Sequence, residues 1–123
     1  MQQMANFREL TKKESKQFDI FIRGYVDGIY SVPAPVRAKP GFSTGPGDKD
    51  ILEGYKAHVN ILKRSKKAYA EYRKGYFDGW FKCLSCETSR QLMDPDLCED
   101  VKDYLKSVWL HDIVYNANET SSK

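Results

Sequence analysis

The densest chemistry in this chain lies between residues 63 and 76. Lys63, Arg64, Lys66, Lys67, Arg73 and Lys74 crowd one segment, Tyr69, Tyr72 and Tyr76 stand between them, and Glu71 is the only acid that offsets them. Cations attract phosphate and flat aromatic faces stack on bases, so this interleaving points to nucleic acid. The competing reading is a solvated helix face whose tyrosines turn into a core. The formal net charge is only +3, so distribution rather than total charge carries the signal. An acidic cluster from Asp94 to Asp103 makes the charge polar along the chain. It offers an alternative partner for the basic face, within the same molecule.

Cys83 and Cys86 form a Cys-x-x-Cys pair. Zinc prefers four Cys or His ligands, and Cys98 and His111 are the only completions. Cys98, however, shares an apolar stripe with Val101, Leu105 and Val108, which reads as core. The expectation is therefore no metal and no cofactor, with a zinc-stabilised interaction domain as the third reading. The loop Gly41 to Lys49 lacks the Gly-Lys-Ser/Thr ending of a phosphate-binding loop, and no strand precedes it. His58 and His111 both sit among apolar residues, as satisfied interior histidines do. No nucleophile, base and orienting group stand out as a set, so no catalytic site is named and the chain is read as non-enzymatic.

Helices must position these residues. Thr11 precedes Glu14 at the capping-box spacing. Phe18, Phe21, Ile22, Tyr25, Val26 and Ile29 then follow a helical period, which predicts a helix over 12–30. Residues 31–48 hold Pro33, Pro35, Pro40 and Pro46 with Gly41, Gly45 and Gly47, and are read as a long irregular connection with neither helix nor strand. Asp48 or Asp50 caps the next segment. Ile51, Tyr55, His58 and Leu62, then Tyr69, Tyr72, Tyr76, Phe77, Trp80 and Phe81, follow a helical period that predicts either one long helix to about Phe81, the favoured reading, or two helices broken near Ser65. Residues 83–93 form a short connection. Asp94-Pro95 opens a last helix whose stripe is Leu97, Val101, Tyr104, Leu105 and Val108, ending near Tyr115. The expected fold is all-α: a single three- or four-helix domain over 1–123, with a flexible arm at 1–10, the Pro/Gly-rich loop at 31–48 and a flexible tail at 116–123.

With 41% hydrophobic and 13% aromatic residues, the composition argues against disorder. No apolar run approaches the ~20 residues of a membrane span. Three cysteines, an odd number, and no secretory signal at Met1 to Arg8 point to a reducing cytoplasm.

The most informative pattern is a repeat. Gly24-Tyr25-Val26-Asp27-Gly28 recurs as Gly75-Tyr76-Phe77-Asp78-Gly79, and the likeness extends outward: Phe18 to Tyr69, Phe21 to Tyr72, Arg23 to Lys74, Ile29 to Trp80, Tyr30 to Phe81. A glycine inside a helix costs ~1 kcal/mol relative to alanine, so pairs of them require a reason. Four apart, they share one face and open a flat strip for another backbone, either on the sister helix or on a partner framed by Tyr25, Tyr76 and Trp80. If the helices cross symmetrically, Asp27 and Asp78 form a carboxylate pair; otherwise each meets a tyrosine or a cation.

Arg23-Gly24-Tyr25-x-x-Gly28 and Lys74-Gly75-Tyr76-x-x-Gly79-Trp80 resemble the short helical motifs of ribosome modulation factor and its phage-encoded relatives. The resemblance covers these motifs alone; the chain has a proline-rich loop where that family carries Cys-Pro-Tyr, and it is longer and less basic. It implies an RNA-facing role for Arg23, Tyr25, Lys74, Tyr76 and Trp80. The leading expectation is a non-catalytic protein that contacts RNA or a ribonucleoprotein through Lys63, Arg64, Lys66, Lys67, Arg73 and Lys74 with those aromatics. The alternative is a phage-type accessory protein that occupies a host protein through its aromatic residues and the loop around 36–47. The sequence leaves the oligomeric state open.

Overall fold

The computed structural model describes residues 9–39, 41, 45–58, 66–85 and 90–121, with 115–121 as backbone alone. In chain order the helices are α1 (Lys12–Ser31), α2 (Ala34–Ala38), α3 (Asp48–Ala57), α4 (Lys66–Ser85), α5 (Arg90–Met93) and α6 (Glu99–Ser121). The domain is all-α, as its periodicity requires. Among the described residues no helix is long and apolar enough to cross a membrane.

Helix α1 starts where its capping box sits. The Glu14 amide donates to Thr11 Oγ1 at 3.1 Å, and the Thr11 amide donates back to the Glu14 carboxylate at 3.0 Å. Two orphan donors of the first turn are thereby satisfied. Its far end is closed from a distance, because its last turn has no basic residue of its own. Arg90 of α5 donates to the carbonyls of Val32 at 2.6 Å and Tyr30 at 3.3 Å, supplying the positive charge that a helix C-terminus favours. Tyr30 donates to the buried Asp94 at 3.1 Å, tying the same corner to the turn before α6.

The centre of the fold is the pairing of α1 with α4. A Cβ built on Gly24 would overlap the Tyr72 carbonyl, and one on Gly28 the Tyr76 carbonyl. Conversely, a Cβ on Gly75 would overlap the Phe21 carbonyl, and one on Gly79 the Tyr25 carbonyl. The offset that carries Gly24 to Gly75 also carries Phe21 to Tyr72, so every contact has its reciprocal. This is the self-complementary arrangement of a two-fold dimer, built within one chain. Gly24 and Gly28 meet successively later residues of α4, so the helices run parallel. The contact is backbone on backbone, where Cα–H groups can face carbonyl oxygens.

Burial follows the repeat. Phe21 and Tyr72, Tyr25 and Tyr76, and Ile29 and Trp80 are all buried, while Tyr30 and Phe81 are both open to solvent. A second helix backs each member of the pair. Tyr55 of α3 sits edge-on to Tyr69 with centroids 5.2 Å apart, and Trp109 of α6 packs on Phe18, the repeat mate of Tyr69, at 5.5 Å. Ile51 and Leu105, one turn before them, are buried too. A fully buried side chain of this size is worth ~1.5–3 kcal/mol relative to exposure, so these anchors account for much of the core.

Several expectations need correction. Of the two readings of the segment from Asp48 to Phe81, the single long helix fails: α3 ends at Ala57, with His58 at φ −108° and ψ 9° as its C-cap, and α4 is described from Lys66, while Ser65 lies outside the described residues. The apolar residues on either side pack on different partners, so a shared period did not mean a shared helix. Gly47 caps α3, with Asp48 and Asp50 in its first turn, where they complement the dipole. The proline-rich connection contains α2, whose Pro35 lies near its start, where a missing N–H costs nothing. The stretch read as a connection after Cys83 contains the last residues of α4 and all of α5. After Asp94 the chain forms a turn, closed by the Leu97 and Cys98 amides donating to the Asp94 carbonyl, and α6 proper opens at Glu99. It continues to Ser121, past the expected end. Its buried face is Leu105, Trp109 and Leu110; Leu97, Tyr104 and Val108 are exposed, and so is His111.

The glycine contact fixes an expected outcome. Gly24→Ala or Gly75→Ala should lower stability by about 2–3 kcal/mol despite alanine's better helix propensity, because the new methyl meets a backbone that cannot move aside. Gly41→Ala, where the added methyl would find open space, should change stability by less than about 0.5 kcal/mol. Urea unfolding midpoints for the three variants check this.

Candidate nucleic-acid interface

The repeat decides which face of α4 is free. Its strip of Ala68, Tyr72, Gly75, Tyr76 and Gly79 is buried, so the opposite face looks outward. Residues 66, 70, 73 and 77 form one row there, and 67, 74 and 81 form the next. Lys66, Lys67 and Arg73 are exposed and Lys74 is half-buried. Arg73 lies over the Phe77 ring, 4.7 Å from its centroid, and Phe77 stacks on Phe81 at 6.3 Å with 24° between planes. Phe81 is 43% exposed. A column of cation, ring and ring thus runs up the outer face.

The Pro/Gly segment supports this column. Gly45 has φ +103°, the left-handed region that glycine adopts without strain. A Cβ there would lie 3.3 Å from Phe77 and 3.2 Å from Phe81, so the chain at Gly45 rests against both rings.

Two features keep the face positive. Glu71, the one acid between residues 63 and 76, is half-buried and accepts the Trp109 indole N–H. Arg73 pairs with Asp48 at 3.3 Å, but both side chains are well exposed, and such a pair is worth little. The acidic cluster does not neutralise the face: the carboxylates of Asp96, Glu99, Asp100 and Asp103 pair with no described cation. The α4–α6 ion pair is Lys74 with Asp112 at 3.6 Å.

The sequence-predicted residues therefore separate. Lys66, Lys67, Arg73 and Lys74 share the outer face. Arg23 is half-buried on α1. Tyr25, Tyr76 and Trp80 belong to the core and have no open face for a base, so the aromatic part of the expected site is corrected. Lys63 and Arg64 lie outside the described residues. The rings that do accompany the cations, Phe77 and Phe81, were legible as repeat mates of Val26 and Tyr30 and as members of the helical period, but not as binding residues. Cys83 is buried, Cys98 half-buried and His111 exposed, and Cys86 lies outside the described residues. Among the described residues no three His, Cys, Asp or Glu side chains gather as metal ligands would.

A second polar cluster joins α1, α3 and α4. Asp27 accepts from the Tyr72 hydroxyl and lies 3.0 Å from His58 Nε2. Burial and the adjacent Asp27 carboxylate push the Tyr72 hydroxyl pKa well above its ordinary value. The hydroxyl therefore stays protonated and acts as a donor. Asp78, the repeat mate of Asp27, is not its partner. It faces Lys74 and Asp112 on the α6 side. Asp78 is open to solvent, yet neighbouring helix atoms remove enough water to raise its pKa somewhat above the ordinary carboxylate value; Lys74 opposes that rise and Asp112 adds to it. The groove of about 520 Å³ between the start of α1 and α6 mixes Asp19, Asp103, Lys102 and Lys106 with Ser15. With Glu9 also in its wall, three acids face two lysines, and the near-balance selects no ligand class.

The chain matches no protein-family model, and comparison with curated proteins and with solved structures finds no match.

The Asp78 environment has a measurable sign. Its raised folded-state pKa favours the fold while the group is protonated, below the ordinary value of 3.8. That contribution is lost as the pH rises through the folded-state value. Asp78→Asn should therefore be slightly more stable than the parent at neutral pH, the effect being small because solvent screens this exposed group, with the gain shrinking as the pH falls through the carboxylate range. Thermal unfolding at a series of pH values would show it.

Proposed function

We propose that this protein is a non-catalytic binding protein that contacts RNA or a ribonucleoprotein through the outer face of α4. The observation that carries the reading is the composition of that face. Lys66, Lys67, Arg73 and Lys74 share it with the Phe77–Phe81 stack, and the local acid, Glu71, is turned inward onto Trp109. Cations gathered on one face attract a phosphate backbone. An exposed ring beside them takes an unpaired base by stacking, which is sequence-tolerant because every base has a π-face. A phosphate arriving at Arg73 displaces only the weak Asp48 contact.

The resemblance to ribosome modulation factor supports the same partner class but through different atoms. The Gly-Tyr-x-x-Gly tyrosines pack inside, so the binding residues are the cations and phenylalanines on the opposite side of the same helix.

Anisotropy titrations with a stem-loop RNA at several salt concentrations test the reading. Affinity should fall linearly with salt on logarithmic axes, and Lys66→Glu, Lys67→Glu and Arg73→Glu should each reduce that slope by about 1. Phe81→Ala should cost about 1–3 kcal/mol on RNA with an unpaired loop and much less on a fully paired duplex. Absence of binding at low salt, or charge reversals that leave it unchanged, would remove the proposal.

A further inference from the structure

Helix α6 carries more apolar surface than its core face uses. Leu105, Trp109 and Leu110 are buried against the α1–α4 pair, whereas Leu97, Tyr104 and Val108 are 67%, 59% and 41% exposed. Tyr104 and Val108 are four residues apart and share a face. Leu97 stands in the turn leading into the helix, seven residues before Tyr104. Its amide and that of Cys98 donate to the Asp94 carbonyl, at 3.0 and 2.9 Å, which closes that turn at the head of α6. Tyr104 and Val108 thus form a ridge beside the buried row, turned from the centre of Leu105, Trp109 and Leu110 by about 100° or more, and the exposed Leu97 stands at its N-terminal end.

The same end of the helix is strongly acidic. Asp96, Glu99, Asp100 and Asp103 are all exposed. Glu99 and Asp100 complement the dipole of the first turn. Asp96 precedes the helix and Asp103 lies beyond that turn, so the dipole does not account for them. None of the four carboxylates pairs with a described cation. On the other side of the ridge, Lys82 of α4 covers part of the Tyr104 ring at 5.8 Å.

We propose that this ridge and its acidic border dock a basic amphipathic helix of a protein partner. Such a helix would set its apolar stripe on Leu97, Tyr104 and Val108 and its Lys or Arg side chains against Asp96, Asp100 and Asp103. Charge selects this occupant over two others. A second copy meeting the ridge across a two-fold axis would bring the same acids face to face. An anionic lipid surface would meet the acidic border with like charge. The site is independent of the basic face of α4 and uses different residues.

The probe is a labelled Leu/Lys peptide of about five helical turns with its leucines on one face. It is titrated into the full-length protein beside a scrambled peptide of equal charge and a Leu/Glu analogue. Saturable binding of the amphipathic basic peptide alone is expected. Tyr104→Ser combined with Val108→Ser should weaken it about tenfold, as truncation of contact anchors does. Asp100→Lys combined with Asp103→Lys should weaken it by at least as much. These positions are exposed, and Leu97→Ser serves as an independent third variant if either pair disturbs the helical circular-dichroism signal. Equal binding of the scrambled peptide, or indifference to the ridge variants, would overturn the proposal. So would ridge-dependent self-association in sedimentation, or ridge-dependent binding to phosphatidylserine vesicles in place of the peptide.

Discussion

Everything in this fold is arranged around two helix backbones that touch. Gly24, Gly28, Gly75 and Gly79 remove the side chains that would hold α1 and α4 apart, and carbonyl oxygens of each helix fill the space left on the other. Four glycines in helix interiors are costly by propensity, so the close approach is the constraint that the rest of the sequence satisfies. Because the helices run parallel, the chain must travel back before it can start α4. α2 and α3 lie between the two helices along the chain, and α3 packs beside α4 through Tyr55 and Tyr69. With the glycine strips inward, the tyrosines beside them close the core, and the cations between them are left on the outside.

The internal symmetry is broken in an instructive way. One half sets His58 against Asp27, with Tyr72 donating to the same carboxylate. The corresponding place in the other half sets Asp112 towards Asp78, with Lys74 between the two charges. The backbone repeat is therefore shared, while the polar chemistry on its two flanks has diverged. The outer surfaces differ as well: cations and stacked phenylalanines on α4, and, among the described residues, exposed apolar side chains and acids without a paired cation at the start of α6. A chain of modest net charge thus presents two faces of opposite character.

Much of the architecture was legible in the residues. The Thr11–Glu14 spacing marked the start of α1, and the repeated Gly-Tyr-x-Asp-Gly marked the paired helices. Other features were not legible, for physical reasons. A helical period continued from Ile51 to Trp80 because both α3 and α4 bury one stripe, and periodicity does not record a change of partner. Of the expected stripe only Leu105 is fully buried, and Trp109 and Leu110 join it, while Tyr104 and Val108 on α6 and Leu97 before it face outward, because position in three dimensions chooses between two apolar stripes on one helix. The tyrosines of the basic segment suggested stacking platforms. Their burial follows from the adjacent glycines, which fix that face against α1 and hand the aromatic role to Phe77 and Phe81.

The parallel, reciprocal pairing of α1 with α4 is the claim on which the rest stands. Distance measurements between spin labels at the exposed positions Lys16 and Lys67, and between Lys16 and Lys82, test it most directly. Residues 67 and 82 are separated by about 22 Å along α4. Parallel pairing predicts a clearly shorter distance for the first pair than for the second. The reverse order, or two equal and long distances, would contradict it.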